Sequence, residues 1–399
     1  MANRSSIDDS VDDEQPLEFD MYALKDITIK CLKKQECISV KKLGEGCFNK
    51  VYVLTMDDGF ECVARLALPY FPRYKTESEV ATMQLVRERT SIRVPEVYAW
   101  SADATNPIGA EYILMEKIPG VPLDDTWRSM SFEDKEHIVR QIIDIVLQLF
   151  NINYDKIGGI YQDKDGAYYV GPIINDLFFM DERANMDLDR GPWTTSSDYL
   201  KGLIRSEIQY LNTHYKSALD GQDDSIDEDD LDDIRDTLSV SAEFEDLIPY
   251  FCPDKTTPER FCLHHGDLNK GNIMVEGTKV SGIIDWESSG VCPAWFIAQY
   301  PEVIVGRGKD VEESDADKWD SPEEFREFFE DTKLRRLFRS EMAKRDPEFV
   351  KLMDEGAKTR KFESKAIFLR DFPRHAKRWK DCLTNGSDGW EKDPTATID

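Results

Sequence analysis

The stretch from His264 to Asn272, HHGDLNKGN, is followed thirteen residues later by Asp285-Trp286-Glu287. In this pattern Asp267 is placed to receive or orient the proton of an attacking hydroxyl group. Asn272 and Asp285 offer the oxygen ligands that Mg²⁺ prefers when it also binds the phosphates of a nucleotide such as ATP. The spacing therefore predicts Asp267 as the catalytic residue and Asn272 and Asp285 as metal ligands.

The residues between these two motifs favour a β-hairpin. Residues 273–275 and 280–284 are β-type runs, separated by Glu276-Gly277-Thr278-Lys279. A strand, a turn and a second strand would bring Asn272 and Asp285 side by side. The alternative interpretation is a surface hairpin with ordinary polar loops that have no catalytic or metal-binding role.

Composition limits the partners that the chain can have. The 399 residues carry a net charge of −28, whereas binding to nucleic acid or to an anionic membrane needs clustered Lys and Arg. No apolar run approaches the roughly 20 residues that span a bilayer, so membrane insertion is not expected. The N-terminal residues contain no apolar signal core, and the eight cysteines form no C-x-x-C pair. Both observations predict a cytoplasmic protein.

The acidic residues are concentrated at 8–20, 220–236 and 310–331. Charge runs of this kind usually form solvated, partly disordered loops. We therefore predict disordered tails at residues 1–20 and 385–399 and a disordered acidic loop at 219–236. The alternative is a negative field that attracts a cationic acceptor molecule such as an amine.

A glycine-containing loop lies near the N-terminus, between predicted strands at 40–43 and 51–54. Gly44, Gly46 and Asn49 occupy this loop. A strand, a glycine loop and a second strand can cover the phosphates of ATP with backbone amides. Asn49 stands where G-x-G-x-x-G has its third glycine, and many hairpins contain glycine for turn geometry alone.

Arg65, on the next predicted strand (60–66), is the candidate cation for the nucleotide phosphates. A helix predicted over 76–86 places Glu79 on its core-facing side, where it would pair with Arg65. Three alternatives remain open at this point. Arg65 would face solvent at a strand end, Glu79 would form a capping box with Thr76, or Glu77 would be the partner of Arg65.

Two further predicted strands, at 94–100 and 111–115, complete a five-stranded N-terminal lobe over residues 21–118. Residues 116–120 leave the last strand at the place where protein kinases offer backbone groups to adenine. By that likeness the backbone of Glu116 and Ile118 would bind adenine; the alternative is a plain connector. A helical C-terminal lobe is predicted over 119–384.

These motifs, with PIGAEYILMEKIPG at 107–120 and DRGPW at 189–193, resemble the fungal branch of the aminoglycoside phosphotransferase family, which includes the altered-inheritance-of-mitochondria proteins. The resemblance covers roughly residues 41–300. It implies an α+β, bilobal protein-kinase-like fold and the ATP- and Mg²⁺-dependent phosphorylation of a small-molecule hydroxyl. It also implies a structural role for His265 in bracing the catalytic loop, and mitochondrial association as an alternative location.

About 145 residues separate the 116–120 connector from His265, and no Ala-Pro-Glu follows Asp285. Helical patterns at 138–149 and 199–211 fill this segment. Inserted helices would enclose a compact acceptor pocket, which favours a small molecule over a protein as substrate. The alternative function is a catalytically weak or silent kinase-like scaffold that acts through a partner, because Asn49 and Arg65 replace the usual glycine and lysine.

Overall fold

The computed structural model describes residues 19–223, 225–252, 258–306, 310–370 and 373–384. Of the tails predicted at 1–20 and 385–399, residues 1–18 and 385–399 lie outside the described residues. The N-terminal lobe contains α1 (Met21–Leu32), β1 (Cys37–Glu45), β2 (Asn49–Met56), β3 (Glu61–Ala67), α2 (Tyr74–Arg89), β4 (Val97–Ser101) and β5 (Tyr112–Glu116).

The five strands form one antiparallel sheet in the order β1-β2-β3-β5-β4. Residues paired across neighbouring strands share a face, so the register decides what each side chain meets. Ala64 pairs with Leu114, and both pack against Leu24 of α1. Arg65 pairs with Ile113, whose side chain joins Val80 of α2 in the main core. The alternation therefore directs Arg65 towards α2 and the interior, not towards solvent.

The segment after the five-stranded sheet forms short strands and helices of different lengths. They are β6 (Val121–Pro122), α3 (Leu123–Trp127), α4 (Phe132–Phe150), β7 (Asn153–Tyr154), β8 (Gly159–Gln162), β9 (Tyr168–Gly171), α5 (Asp176–Phe179), a 3-10 helix (Asp181–Asn185), α6 (Ser196–His214), α7 (Lys216–Leu219) and α8 (Glu228–Phe251). The helices predicted within 138–149 and 199–211 correspond to α4 and α6.

The remaining elements begin with the strands that flank the catalytic motif. They are β10 (Phe261–His264), β11 (Ile273–Glu276), β12 (Lys279–Ile283), β13 (Gly290–Pro293), α9 (Ala294–Ile297), α10 (Glu302–Val305), a 3-10 helix (Glu313–Lys318), α11 (Pro322–Arg345), α12 (Pro347–Glu355), α13 (Ala357–Ile367) and α14 (Pro373–Thr384). A five-stranded sheet next to a larger, mostly helical lobe confirms the predicted α+β, bilobal protein-kinase-like fold.

Three small sheets fasten the catalytic segment to the helical lobe. β10 lies between β13 and β7, β11 lies between β12 and β6, and β8 pairs with β9. Since β6 follows directly after the chain leaves the five-stranded sheet, its pairing with β11 places the connector beside the catalytic hairpin.

Two predictions of disordered acidic segments are wrong where the chain is described. Asp20 caps α1, and its carboxylate accepts hydrogen bonds from the backbone N–H groups of Tyr22 and Ala23. In the 219–236 segment, Asp227 caps α8, so residues 228–236 are helical. The third acidic run, 310–331, also contains the start of a helix, because α11 begins at Pro322 after the cap residue Ser321. Carboxylates in a first helical turn interact favourably with the positive end of the helix dipole, so these acidic runs start helices.

Among the described residues, no helix is both long and apolar enough to cross a membrane.

Candidate functional site

His265 connects the predicted catalytic loop, residues 264–272, to the strand that ends before Asp285. Its side chain is 1% exposed. Nε2 donates to the backbone carbonyl of Ile284 at 3.1 Å, and Nδ1 accepts from the backbone N–H of Asp267 at 3.3 Å. Burial lowers the pKa of His265 to about 3, so the ring is neutral and carries its proton on Nε2. The ring centre of the Trp286 indole lies 4.5 Å from that of the His265 imidazole, so the indole packs against the histidine.

Asp267 is held by two side-chain amides. Asn269 Nδ2 donates to one carboxylate oxygen at 2.8 Å, and Asn272 Nδ2 donates to the other at 2.9 Å. Asn272 Nδ2 also donates to the backbone carbonyl of Asp267 at 2.8 Å. These bonds fix the orientation of the carboxylate without neutralising its charge, as a group that accepts a proton requires.

Asn272 and Asp285 lie at the open end of the hairpin formed by β11 and β12. Ile273 pairs with Ile283, and the backbone N–H of Ile284 donates to the carbonyl of Asn272 at 3.0 Å. Asp285 then takes a positive φ of 65°, a conformation that non-glycine residues rarely adopt. This turn bends the chain out of the strand. The hairpin thus places the two predicted metal ligands side by side.

The free oxygens at this point suit a hard cation. Both Asn272 Nδ2 hydrogens are used by Asp267, so Asn272 Oδ1 remains an acceptor. Asp285 Oδ1 is buried without a hydrogen bond, although Arg65 Nη2 lies 2.9 Å away in poor alignment. The searched residues contain no group of three or more His, Cys, Asp or Glu side chains that could hold a metal. Two protein oxygens are nevertheless enough for Mg²⁺ that also binds phosphates and water.

Arg65 is the centre of a buried cluster of charges. Its guanidinium contacts Glu79 on α2 and lies 2.9 Å from Asp285 and 2.6 Å from Glu287. Arg65 is 6% exposed and Glu79 is 1% exposed. The predicted contact between Arg65 and Glu79 is therefore present.

The alternatives considered for α2 are not found. The helix begins at Tyr74, and no side chain caps its N-terminus, which excludes the capping box at Thr76. Glu77, the other predicted partner for Arg65, pairs with Arg73 instead, at 2.8 Å.

Lys75 is a second cation in the cluster, and the sequence reasoning missed it. Its Nζ donates to Asn49 Oδ1 at 2.6 Å and to Glu287 Oε2 at 3.1 Å. Burial lowers its pKa, and the Arg65 charge adds to this effect. Lys75 precedes Glu79 by four residues, so both lie on one face of the helix. That spacing is the signal that could have revealed Lys75.

Asn49 joins the glycine loop to the same cluster. Its Nδ2 donates to Glu287 Oε2 at 2.7 Å, and only 5% of the residue is exposed. Gly44 and Gly46 lie in the same hairpin, and a Cβ added to either would meet no atom within 4 Å. The two glycines therefore border open space, whereas the Asn49 side chain is already bound to protein groups.

The cluster contains the cations Arg65 and Lys75 and the carboxylates Glu79, Asp285 and Glu287. Burial raises the pKa of Glu79 and of Asp285, and the Arg65 charge opposes both shifts. Burial also acts to raise the pKa of Glu287, but the charges of Arg65 and Lys75 outweigh it and hold that pKa below its ordinary value. The cluster places three carboxylates beside two cations, and carboxylate oxygens are ligands that a divalent cation such as Mg²⁺ prefers.

Glu116 and Ile118, the residues predicted at the adenine position, lie on the connector side of the sheet. The backbone N–H of Glu116 donates to the carbonyl of Glu96 at 2.8 Å, and its carboxylate lies 2.5 Å from Arg93. Ile118 is 4% exposed and packs close to Gly282 of β12. The contact with Arg93 thus holds the start of the connector in place. Ile118 packs the connector against the hairpin of β11 and β12.

The chain is similar to several curated fungal proteins. A subtelomeric hrmA-associated cluster protein of Aspergillus fumigatus is 28% identical over 314 residues, which are 68% of this chain and 61% of that protein. Altered inheritance of mitochondria protein 9, mitochondrial, of Candida tropicalis is 24% identical over 316 residues, which are 68% of this chain and 50% of that protein. The chain thus spans between half and two thirds of the length of these relatives.

Among solved structures, the chain is similar to a thermostable mutant of aminoglycoside phosphotransferase APH(4)-Ia in complex with ADP and hygromycin B. The TM-score is 0.46 with 14% identity, covering 94% of this chain and 95% of that one. Macrolide 2'-phosphotransferase MphH of Brachybacterium faecium gives a TM-score of 0.41 with 13% identity, covering 94% and 98%.

A model of the phosphotransferase enzyme family matches residues 39–296, which is more than half of the chain. The matched range includes the glycine loop, the Arg65 cluster and the catalytic loop. The protein therefore belongs to the phosphotransferase enzyme family.

Proposed function

We propose that the protein is an ATP- and Mg²⁺-dependent phosphotransferase that moves the γ-phosphate of ATP to a hydroxyl group of a small molecule. The observation that carries this proposal is the Asp267 carboxylate, oriented by two amides beside the amide oxygen of Asn272 and the carboxylate of Asp285. Membership of the phosphotransferase enzyme family supports the same reaction class.

In the proposed reaction, the acceptor oxygen bonds to the γ-phosphorus while the bond to the β–γ bridging oxygen breaks. ADP leaves, and the hydroxyl proton passes to the Asp267 carboxylate. Asn269 and Asn272 hold that carboxylate in position, and their amides remain hydrogen-bonded to it. Mg²⁺ held by Asn272 and Asp285 would neutralise charge on the phosphates.

The five-stranded sheet would supply the nucleotide contacts. Gly44 and Gly46 border open space, so this loop would cover the phosphates. The backbone N–H of Gly46 donates to the carbonyl of Asn49 at 3.0 Å, and a phosphate would have to replace that carbonyl to bind it. Arg65 would contribute the cation, and Glu79 would position it. The backbone of the connector at Glu116 and Ile118 would bind adenine. In this assignment Asn49 fastens the loop to Glu287 instead of touching the phosphates.

A second candidate function is a catalytically weak or silent scaffold that acts through a partner. The observation that favours it is that both cations already contact protein groups. Arg65 contacts three carboxylates, and Lys75 contacts Asn49 and Glu287. Binding of ATP would have to displace part of these contacts. Among the two candidates, the oriented Asp267 carboxylate favours the enzyme.

Mitochondrial association is part of the proposal. Several curated relatives are named as mitochondrial proteins, and this supports a mitochondrial location in place of the cytoplasmic one predicted from composition. Fractionation of cells that express the tagged full chain tests it, with recovery in the mitochondrial fraction as the expected result.

The test of the proposed reaction is ATP turnover by purified protein with Mg²⁺ and a pooled extract of small metabolites. The wild type is compared with Asp267→Asn, which keeps the shape of the side chain but cannot take a proton. We expect extract-stimulated turnover that falls at least about 100-fold in the variant, in line with the loss of a general base. Equal turnover in the two proteins would contradict the assignment of Asp267.

A further inference from the structure

A cavity of about 490 Å³ opens beside the catalytic loop. Gly266 and Ser288, which flank the two catalytic motifs, lie on its wall. β13 forms one side, and the start of α5 forms another, through Asp176 and Leu177. The cavity is therefore next to the position where the proposed reaction takes place.

Most of the wall is apolar. Phe48 from the glycine loop and Phe71 from the segment before α2 meet edge to face, with ring centres 5.0 Å apart. Phe296 and Phe368 line the cavity from the other lobe. Rings of this kind bind a flat or aliphatic body well, whereas a polyhydroxylated sugar would lose hydrogen bonds to water against them.

The charged groups that line the cavity are mostly acidic. The carboxylates are Asp176, Glu287 and Glu363, and the cation is Lys75, which is already bound to Asn49 and Glu287. The cavity therefore offers negative charge and acceptor oxygens and, within the described part of the chain, no cation that is free of protein partners.

Glu363, on α13, is a buried carboxylate of this cavity whose partners are incomplete. It is 4% exposed, and one carboxylate oxygen accepts a hydrogen bond from the Tyr199 hydroxyl at 2.9 Å. No described residue donates to the second oxygen, and no cation of residues 19–223, 225–252, 258–306, 310–370 or 373–384 lies within ion-pair distance of it. Burial raises the pKa of Glu363 to about 7, as expected for a carboxylate without a compensating charge.

A buried carboxylate without a cation is costly to ionise, and a ligand that brings a cation removes that cost. We propose that this cavity binds the acceptor, and that the acceptor is an alcohol with an apolar body and a single amine or other cationic donor that pairs with Glu363. This assignment rests on the phosphotransfer proposed above. The polar end would meet Glu363, the apolar body would pack on the phenylalanine rings, and the hydroxyl would face Asp267.

The experiment measures binding, so it is independent of turnover. Affinities are measured by calorimetry at pH 8 in Asp267→Asn saturated with ADP and Mg²⁺. The probes are the aryl amino alcohol phenylalaninol, its neutral counterpart 3-phenyl-1-propanol, and the polyhydroxylated polycation kanamycin. We expect phenylalaninol to bind at least tenfold more tightly than either of the other two compounds.

The variant that tests the pairing is Glu363→Gln. We expect it to abolish the tenfold preference for the amine and to leave the affinity for 3-phenyl-1-propanol unchanged. Glu348→Gln is the matched control, because Glu348 is an exposed carboxylate on the neighbouring helix α12. It should retain the preference. Equal affinity of the wild-type pocket for the two phenyl alcohols, or tighter binding of kanamycin, would overturn the proposal.

A second variant keeps the test decisive if Glu363→Gln does not fold. Leu177 is partly exposed and lines the cavity, so Leu177→Trp should fill the cavity without disturbing the core. We expect it to reduce the affinity for phenylalaninol at least tenfold while ADP binding is unchanged. Unchanged phenylalaninol binding would place the amine outside this cavity. Amine binding without any ATP turnover in the wild type would instead count against the proposed function alone.

Discussion

The catalytic loop and the Arg65 cluster lie on either side of one site, but they are stabilised by different interactions. In the catalytic loop, neutral amides and a neutral histidine hold Asp267, and the bonded residues are two to five positions apart. In the Arg65 cluster, buried charges hold one another across the lobes, and Asn49 bonds to Glu287 from 238 positions away.

This difference implies different consequences for mutation. A local hydrogen-bonded loop can lose one catalytic group and keep its shape. A buried charge cluster cannot lose a charge without leaving its partner uncompensated, which is costly in a desolvated interior. We therefore expect changes in the catalytic loop to affect chemistry, and changes in the Arg65 cluster to affect stability and nucleotide binding.

The largest effect on stability is expected for Arg65→Ala. The substitution leaves Glu79 and Glu287 without their main cation, so the free energy of unfolding should fall by about 3 to 5 kcal/mol. Arg65→Lys keeps the charge but contacts fewer carboxylates at once, so its loss should be smaller. Urea unfolding measures both values. Arg336→Ala, at an exposed pair with Glu312, is the control and should cost about 1 kcal/mol or less. A similar cost at both positions would show that the cluster is not a stability element.

The second largest effect is a dependence of the free energy of unfolding on pH, which comes from His265. Folded His265 stays neutral with a pKa of about 3, whereas the unfolded residue protonates below its ordinary value of 6.5. The unfolded state therefore binds more protons, and this contribution to stability is lost as the pH falls from 6.5 towards 3. At pH 5 the loss should be about 2 kcal/mol relative to pH 7.5.

The comparison with His265→Gln isolates that contribution, because other buried groups titrate in both proteins. The stability advantage of the wild type over this variant should shrink by about 2 kcal/mol between pH 7.5 and pH 5. An advantage that stays constant over this range would mean that His265 takes up a proton in the folded protein.

The smallest change in stability is expected at Asn49, where the glycine loop contacts the Arg65 cluster. Asn49→Gly restores the third glycine of the loop motif but removes the bonds to Glu287 and Lys75, which should cost about 1 to 2 kcal/mol. Hydrogen exchange of the amides at 44–49 should become faster. Asn49→Asp, which places a second carboxylate beside Glu287, should be the less stable of the two. The reverse order would show that Asn49 does not bond to Glu287.

The two regions also differ in how far sequence alone could predict them. Asp267, Asn272 and Asp285 lie within one strand-turn-strand pattern, so spacing and β-propensity were enough to place them side by side. The predicted strand over 60–66 and the core-facing position of Glu79 on the next helix likewise indicated the pairing of Arg65 with Glu79. These inferences depend on local geometry, which follows directly from the spacing of residues in the sequence.

Contacts between distant segments were not predictable in the same way. Glu287 meets Lys75 and the side chain of Asn49 because two lobes fold against each other. The spacing of Lys75 and Glu79 places Lys75 on the correct face of α2, but it does not predict the contact with Glu287. The acidic segments were misassigned for the opposite reason. Composition favoured disorder, but cap residues such as Asp227 and the helix dipole made the acidic residues 228–230 a favourable helix start. At this position the capping interactions favoured a helix more than the acidic composition favoured disorder.

The most direct test measures binding and chemistry separately in the same proteins. Wild type, Asp267→Asn and Arg65→Lys would be given substoichiometric γ-labelled ATP with Mg²⁺ and metabolite extract, and the first-turnover rate would be recorded beside the Kd for ATP. The account predicts that Asp267→Asn slows transfer of the label at least about 100-fold with little change in Kd, whereas Arg65→Lys mainly weakens binding. First-turnover transfer in Asp267→Asn at the wild-type rate would contradict the account.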